Sequence, residues 1–406
     1  MNLSKIKVNF EYFLVQAVFW MGVCTISGFA AVYLQGRGYN NTELGLILCL
    51  GNAGGLIFSP VLASLVDKYG KLDNIHTYWA MLLLQIISLA LLSLMKGKSL
   101  SMSAVYVLLL TCNAAAQPMV TQLSFELERS GHHINFGAAR SGGSVAYAIL
   151  VTAMGTIVSH LGCKVIIAAG LIVLSVEAVL LAVITYQLCR AHLFGGALPS
   201  EGAAESKSLG GFIADNRRFS VLLIGMALIY FSHSALTNFL INVVNNVGGD
   251  TVTFGRISAF AAVAELPAML LADRLSTRFR LSSLIRFSLI AFTVKALAVA
   301  AASTVPALYA ALAIQALSYA VLTPILVRYV EKVISSADAA KGQSLAYSSL
   351  VLGSIFSGFI VGSMFDSVGV TATMLVCAAI SLAGTLICMP AVENTPAPQL
   401  TPTNMG

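Results

Sequence analysis

Charge is what this chain has least of. Only 10% of its 406 residues are Asp, Glu, Lys or Arg, against 58% hydrophobic, whereas a soluble globular domain is about a quarter charged. That composition cannot cover a water-facing surface and belongs in a bilayer. Cysteine is sparse too. The seven (Cys24, Cys49, Cys112, Cys163, Cys189, Cys377 and Cys388) sit mostly in apolar runs without a Cys-x-x-Cys pair, which speaks against a disulfide framework and a zinc site. The sequence holds no phosphate-cradling glycine loop, no metal-ligand pair and no nucleophile triad. An enzyme or an ATP-driven pump is therefore disfavoured, and no cofactor or metal is expected. The net charge of +6 is scattered singly between apolar runs, which argues against a nucleic-acid partner. No cleavable signal is expected either. "MNLSKIKVNFEY" leads straight into a full-length span, so the first helix is expected to be its own insertion signal.

What is there is apolar length. Runs of roughly 20 residues, enough to cross about 30 Å of hydrocarbon, recur near 10–34, 43–66, 77–95, 101–124, 138–160, 163–188, 219–244, 253–272, 284–303, 306–329, 343–365 and 370–390. They are continuous rather than alternating, which argues for helices over a transmembrane barrel. The only long polar connection, residues 190–218, is rich in Gly, Ala, Ser and Glu and reads as a flexible linker. The expected division is a six-helix bundle over 1–189, the linker, a second six-helix bundle over 219–392, and a tail over 393–406.

Placing the N-terminus inside puts sixteen Lys and Arg residues on the cytoplasmic side and five outside, which orients both termini to the cytoplasm of a multi-pass inner-membrane protein. The halves also resemble each other. "LVDKYGK" follows the second span and "LADRLSTRFR" the eighth, placing Asp67 and Asp273 206 residues apart. "FGAARSGGSVAY" opens the fifth span and "KGQSLAYSSLVLG" the eleventh, with Gly137 and Gly342 offset by 205. Paired six-helix halves are the construction of alternating-access carriers.

"PVLASLVDKYGK" resembles the loop signature of the major facilitator superfamily, G-x-x-x-D-R/K-x-G-x-R/K, with Ala63 at the glycine position and the last basic position shifted to Lys71. The resemblance implies an all-α membrane fold of twelve helices in two pseudo-symmetric bundles. It casts Asp67, Lys68 and Lys71, with Asp273 and Arg274 in the second half, as gating residues whose ion pairs form in one state only. "FGAARSGGSVAYA" is similar to the fifth helix of the lactose permease-like, oligosaccharide:proton symporter branch, matching at Phe136, Gly137, Ala139, Arg140, Gly143, Val145 and Tyr147.

The residues themselves carry a compatible reading. Positions 140, 144 and 147 share one helical face, presenting a guanidinium, a hydroxyl (Ser144) and a phenol. Arg offers forked donors to vicinal hydroxyls or a carboxylate, and Tyr an apolar plate with a polar tip. A sugar uses both. Gly142, Gly143 and Ala146 permit close approach, either of a ligand or of a neighbouring helix. The alternative for Arg140 is snorkelling to cytoplasmic headgroups.

Four more ionisable groups sit inside spans. Glu265, halfway along the eighth beside Pro267, would cost roughly 2.5–3.5 kcal/mol as a bare charge, so a protonated form or a partner is expected. The resemblance implies that it contacts substrate and helps couple protons. Lys295 stands mid-ninth span where the family implies an arginine. It keeps the charge, loses the fork, and joins Glu265 as a coupling candidate. His233, with Asn238 and Asn242 nearby, reads equally as a ligand or a core histidine. Glu177 in the sixth span reads as protonated or helix-paired. The chain departs from the permeases where a fourth-helix carboxylate is expected, since Thr121 or Gln122 stands there. In the tenth span Ser318 or Tyr319 and an apolar position replace a histidine and a glutamate. Substrate-binding candidates are therefore Arg140, Ser144, Tyr147, Glu265, His233, Gln122 and Lys295.

The leading expectation is a monomeric secondary transporter that takes up a sugar, oligosaccharide or similar hydroxylated small solute with a proton as coupling ion. Alternatives are a carrier or exporter of aromatic or amphiphilic molecules, such as a nucleoside, aromatic acid or drug, and a non-transporting membrane receptor on the same fold.

Overall fold

In hydrocarbon a backbone must satisfy its own hydrogen bonds, and a helix does this within one segment. The computed structural model describes residues 3–69, 74–129, 134–190, 208–336 and 338–396, and among them every regular element is a helix. In chain order these are α1 (Leu3–Val23), α2 (Ala30–Gly36), α3 (Asn41–Tyr69), α4 (Asn74–Leu94), α5 (Leu100–Arg129), α6 (Phe136–Leu161), α7 (Val165–Arg190), α8 (Leu209–Asp215), α9 (Arg217–Asn238), α10 (Leu240–Asn246), α11 (Thr251–Arg278), α12 (Leu281–Ala301), α13 (Val305–Ala313), α14 (Tyr319–Val333), α15 (Ala339–Ser367) and α16 (Val370–Ala391). Twelve helical segments among the described residues are long and apolar enough to cross a bilayer. Large apolar side chains such as Leu94, Ile172, Val179 and Leu386 are exposed, as a lipid-facing exterior requires.

Three spans expected to be continuous are broken. The first passes from α1 through a π-helical turn, Cys24–Gly28, and Phe29 before α2 resumes. The seventh breaks at Phe239 between α9 and α10. The tenth breaks through a 3₁₀ turn, Ile314–Ala316, between α13 and α14. The breaks at Phe239 and at the 3₁₀ turn are closed by local backbone bonds such as Asn242 N–H to Phe239 O and Leu317 N–H to Ile314 O, whereas the first also draws on tertiary partners. In the first, the Tyr106 hydroxyl donates to the Ile26 carbonyl at 2.8 Å, and Asn113 Nδ2 donates to Ser27 Oγ at 3.1 Å.

The breaks expose the internal repeat more sharply than the motifs do. Phe29 and Phe239, both at non-helical backbone angles, lie 210 residues apart. Gly38 and Gly248, at φ 89° and 81°, close these two spans at the same offset. Gly162 and Gly369, at φ 78° and 82°, terminate α6 and α15, 207 residues apart. Positive φ at a helix end is a glycine position, since any Cβ there is strained. The twelve helices thus form two pseudo-symmetric halves.

The chain separates into two compact units. The first comprises Met1–Pro199, Asp250–Ala262 and Gly358–Ser363. In it α1 packs on α6 and α7, α3 on α5, and α4 on α5 and α7. Gly155 and Gly255 meet with no room for side chains: a Cβ at Gly255 would lie 2.6 Å from the Val151 carbonyl oxygen. The second unit comprises Ser200–Gly249, Val263–Ser357 and Met364–Gly406, with α16 on α9 and α12, and α12 on α13 and α14. Its core gathers Phe212, Phe219, Phe292, Tyr230 and Tyr329 with aliphatic neighbours.

Of the polar connection at 190–218, residues 191–207 lie outside the described residues. Of the described remainder, Arg190 ends α7, Leu209–Asp215 form α8, capped by Ser208 and anchored by Phe212 edge-on to Phe219, and Arg217 and Arg218 open α9. Of the tail at 393–406, residues 397–406 lie outside as well. Glu393 N–H donates to the Tyr329 hydroxyl at 2.7 Å, and Arg286 donates to Val392 O and Asn394 Oδ1.

Glu177, 2% exposed on α7, accepts the Tyr78 hydroxyl of α4 at 2.5 Å on Oε1. It is the helix-paired acid that its position suggested. Deleting one member of a buried polar pair costs about 1–3 kcal/mol. Tyr78→Phe is therefore expected to lower the thermal unfolding midpoint in detergent, and Glu177→Gln, which can still accept the hydroxyl, to lower it less. Equal midpoints for wild type and Tyr78→Phe would remove this bond from the stability account.

Candidate functional site

Candidate residues gather in two clusters, one in each unit. In the first unit α6 begins at Asn135, whose side chain accepts Ala138 N–H at 3.0 Å, while its own N–H donates to Asn9 Oδ1 of α1 at 2.8 Å. That cap registers α6 on α1. The glycines then let the helices close: a Cβ at Gly142 would strike the Phe13 ring, and one at Gly143 would lie 2.5 Å from Trp20 Cδ1. Of the two possibilities for these small residues, the neighbouring helix is the one observed.

This packing brings Trp20 under Arg140. The guanidinium carbon lies 3.9 Å from the indole centroid, and Nη1 donates to Ser144 Oγ at 3.0 Å. A planar cation over an indole face is stabilised by about 0.5–2 kcal/mol. Arg140 is thus held by its own helix and by α1, with part of its surface open. Tyr147 lies one turn beyond Ser144, its hydroxyl 2.8 Å from where a Cβ on Gly28 would stand. Glycine at the end of the π-turn makes the space that the phenol uses. Gln122 is exposed on α5 and, among the described residues, makes no hydrogen bond with this group.

The second cluster links four spans. Lys295 of α12 is 1% exposed. Its Nζ lies 2.9 Å from His233 Nδ1 of α9 and donates to Gln315 Oε1 at 3.2 Å, on the 3₁₀ turn of the tenth span. With Lys295 protonated, its ammonium has no lone pair, so Nδ1 would accept and the imidazole would carry its proton on Nε2. Gln315 Nε2 in turn donates to Glu265 Oε1 of α11 at 2.6 Å. The His233 ring stacks on Tyr319 at 5.0 Å and meets Phe292 edge-on at 5.6 Å. Lys295 also lies 5.0 Å from the Phe292 centroid. The result is a graded line: Glu265 is half-buried, whereas Gln315, Lys295 and His233 are buried. Beside Lys295 a cavity of about 10 Å³, lined by Ser232, His233, Ser381 and apolar neighbours, has room for about one water.

Glu265, Lys295 and His233 are therefore joined, and His233 is occupied with Lys295. The gating candidates are less defined. Arg274 is exposed. Asp67, Lys68 and Asp273 lie in α3 and α11, where only their backbone is described, and Lys71 lies outside the described residues. Next to that motif, Arg328 of α14 donates to Ser276 of α11. Two contributors escaped the sequence reading, Trp20 and Gln315. Gln315 had a usable signal, a lone amide in "ALAIQALSYA" with no reason to be in hydrocarbon unless partnered. Trp20 had none, because one indole in an apolar run reads as lipid-facing or core.

Arg140→Lys keeps the charge but loses both the plane that stacks on Trp20 and the fork. Substrate affinity is expected to fall by about 2 kcal/mol, roughly thirtyfold, in ligand-dependent thermal shift. Unchanged affinity in a folded lysine variant would leave Arg140 a packing residue. Gly28→Val is expected to displace Tyr147 and weaken the same binding.

The MFS_1 like family profile matches residues 6–376. The maltose permease of Geobacillus stearothermophilus is 25% identical over 288 residues, 70% of each chain. Among solved structures, a point mutant of the nucleoside transporter NupG superposes with a TM-score of 0.77 at 16% identity, covering 96% of this chain and 100% of that one. A bacterial homologue of the human lysosomal transporter Spinster, inward-facing and unoccupied, gives a TM-score of 0.72 at 12% identity over 97% and 98% of the two chains. With twelve apolar spans in two repeated halves and a profile match across most of its length, the chain belongs to the MFS_1 like family and is a multi-pass membrane transporter of the major facilitator superfamily.

Proposed function

We propose that this transporter takes up a sugar or oligosaccharide together with a proton. One observation carries the substrate half: Arg140, stacked on Trp20 and bonded to Ser144, shares a helical face with Tyr147. Forked donors beside aromatic plates suit a solute whose rim is hydroxyl and whose faces are C–H. The sequence likeness to a maltose permease supports the same class. The coupling half rests on the second cluster, in which a half-buried carboxyl is linked to a buried ammonium by hydrogen bonds. Such a carboxyl can exchange a proton when its surroundings alternate, which is the thermodynamic requirement for symport.

On this reading the protein works as a monomer in the inner membrane with both termini in the cytoplasm, and the proton is its only cofactor. Asp67, Lys68, Lys71, Asp273 and Arg274 gate the cycle. The direct test is uptake of labelled disaccharides by proteoliposomes, with and without an imposed proton gradient, beside nucleosides and aromatic acids. Disaccharide accumulation that collapses with the gradient supports the proposal. Accumulation of nucleosides alone would replace sugar by an aromatic solute.

Glu265→Gln imitates the protonated carboxyl and cannot release the proton. It is expected to abolish uphill accumulation and to leave counterflow, because a permanently neutral site can still alternate while loaded. Wild-type accumulation by this variant would remove Glu265 from coupling.

A further inference from the structure

Between the Lys295 ammonium and the Glu265 carboxyl stands a primary amide. Gln315 accepts from Lys295 through Oε1 at 3.2 Å and donates to Glu265 Oε1 through Nε2 at 2.6 Å. It is 7% exposed, and the 3₁₀ turn Ile314–Ala316 aims it inward where a continuous helix would follow a different path. An amide in this place has two properties that a titratable side chain lacks. It carries no charge in any state, so it neither takes nor gives the proton. Its N–H can also bond both to a carboxylate oxygen, more strongly, and to the carbonyl oxygen of a carboxylic acid. A proton arriving on Glu265 Oε2 therefore leaves both bonds of the bridge intact.

The alternative arrangement would behave differently. Lys295 has a long flexible stem, and in low dielectric an ammonium touching a carboxylate forms a strong pair. A Glu265 so paired would have to break that contact before it could accept a proton. The titratable neighbours facing the bridge are His233, whose Nδ1 lies 2.9 Å from Lys295 Nζ, and Tyr319, which stacks on His233.

We propose that Gln315 is the positioning residue of the coupling site, holding Lys295 one amide away from Glu265 so that the carboxyl can gain and lose its proton while staying bonded. The proposal rests on the proton-coupling reading above. It adds a residue that binds neither proton nor substrate and yet decides whether gradient and transport are linked.

The test measures accumulation and counterflow in the same proteoliposomes for wild type, Glu265→Gln, Gln315→Met and Gln315→Glu. Methionine preserves volume and removes both hydrogen bonds. Glutamate gives Lys295 a direct ionic partner and, when ionised, has no donor for Glu265. Both Gln315 variants are expected to keep counterflow within about twofold of wild type and to lose proton-driven accumulation at least tenfold. A side chain needed only for folding would depress both activities together. Should Gln315→Met fail to fold, Gln315→Asn, one methylene too short to span both partners, carries the same expectation. Wild-type accumulation by Gln315→Met, or an equal fall in accumulation and counterflow for every folded variant, overturns the assignment of Gln315 alone. Undiminished accumulation by Glu265→Gln would instead overturn the coupling reading itself.

Discussion

An ammonium in hydrocarbon is the constraint around which the second half of this protein is arranged. Lys295 is 1% exposed, and a charge so placed is tolerated only where it is bonded and balanced. Meeting that requirement draws on four spans at once: His233 from the seventh, Gln315 from the tenth, Glu265 from the eighth, and the ninth that carries the lysine. The tenth span carries Gln315 on its 3₁₀ turn. Aromatic rings at Phe292 and Tyr319 then fix the imidazole. A change of charge at Glu265 thus alters the balance of a network whose members belong to different helices. That is the property a coupled carrier needs, because helices that share a charge network respond to it together.

The first half meets a milder version of the same constraint by other means. Arg140 rests on an indole face and donates to a hydroxyl. It keeps its charge, on which the proposed binding of a hydroxylated solute rests. Glycines at 142 and 143 bring α1 close enough to supply that indole, and Gly28 opens the π-turn for Tyr147. Backbone choice and binding chemistry are one problem here. Side chains at those glycines would remove the aromatic surface before they touched any ligand.

Much of this was legible in the sequence, because hydrophobic length and charge placement act locally. The twelve spans follow from apolar length, the repeat from paired motifs at matching offsets, and the Arg140–Ser144–Tyr147 face from helical periodicity; Glu177 was readable as an acid in need of a partner or a proton. What was not legible depends on tertiary choice. The breaks at Phe29, Phe239 and Gln315 lie in runs whose hydropathy falls within the range of the continuous helices, and the Ile26 carbonyl at the first is met by the Tyr106 hydroxyl from α5. The link from Glu265 to Lys295 was anticipated as a pair. The amide between them was not, since Gln315 lies 50 residues from one and 20 from the other. The partner of His233 was likewise open until helix packing placed Lys295 beside it.

The central claim is that solute and proton cross as one event. The most direct measurement is proton movement driven by substrate alone, in de-energised proteoliposomes whose external pH is recorded as a disaccharide is added. The account predicts alkalinisation of the medium that scales with disaccharide entry, is absent with a non-transported sugar, and is cancelled by a protonophore. Disaccharide entry at the same rate with no change in external pH would contradict it.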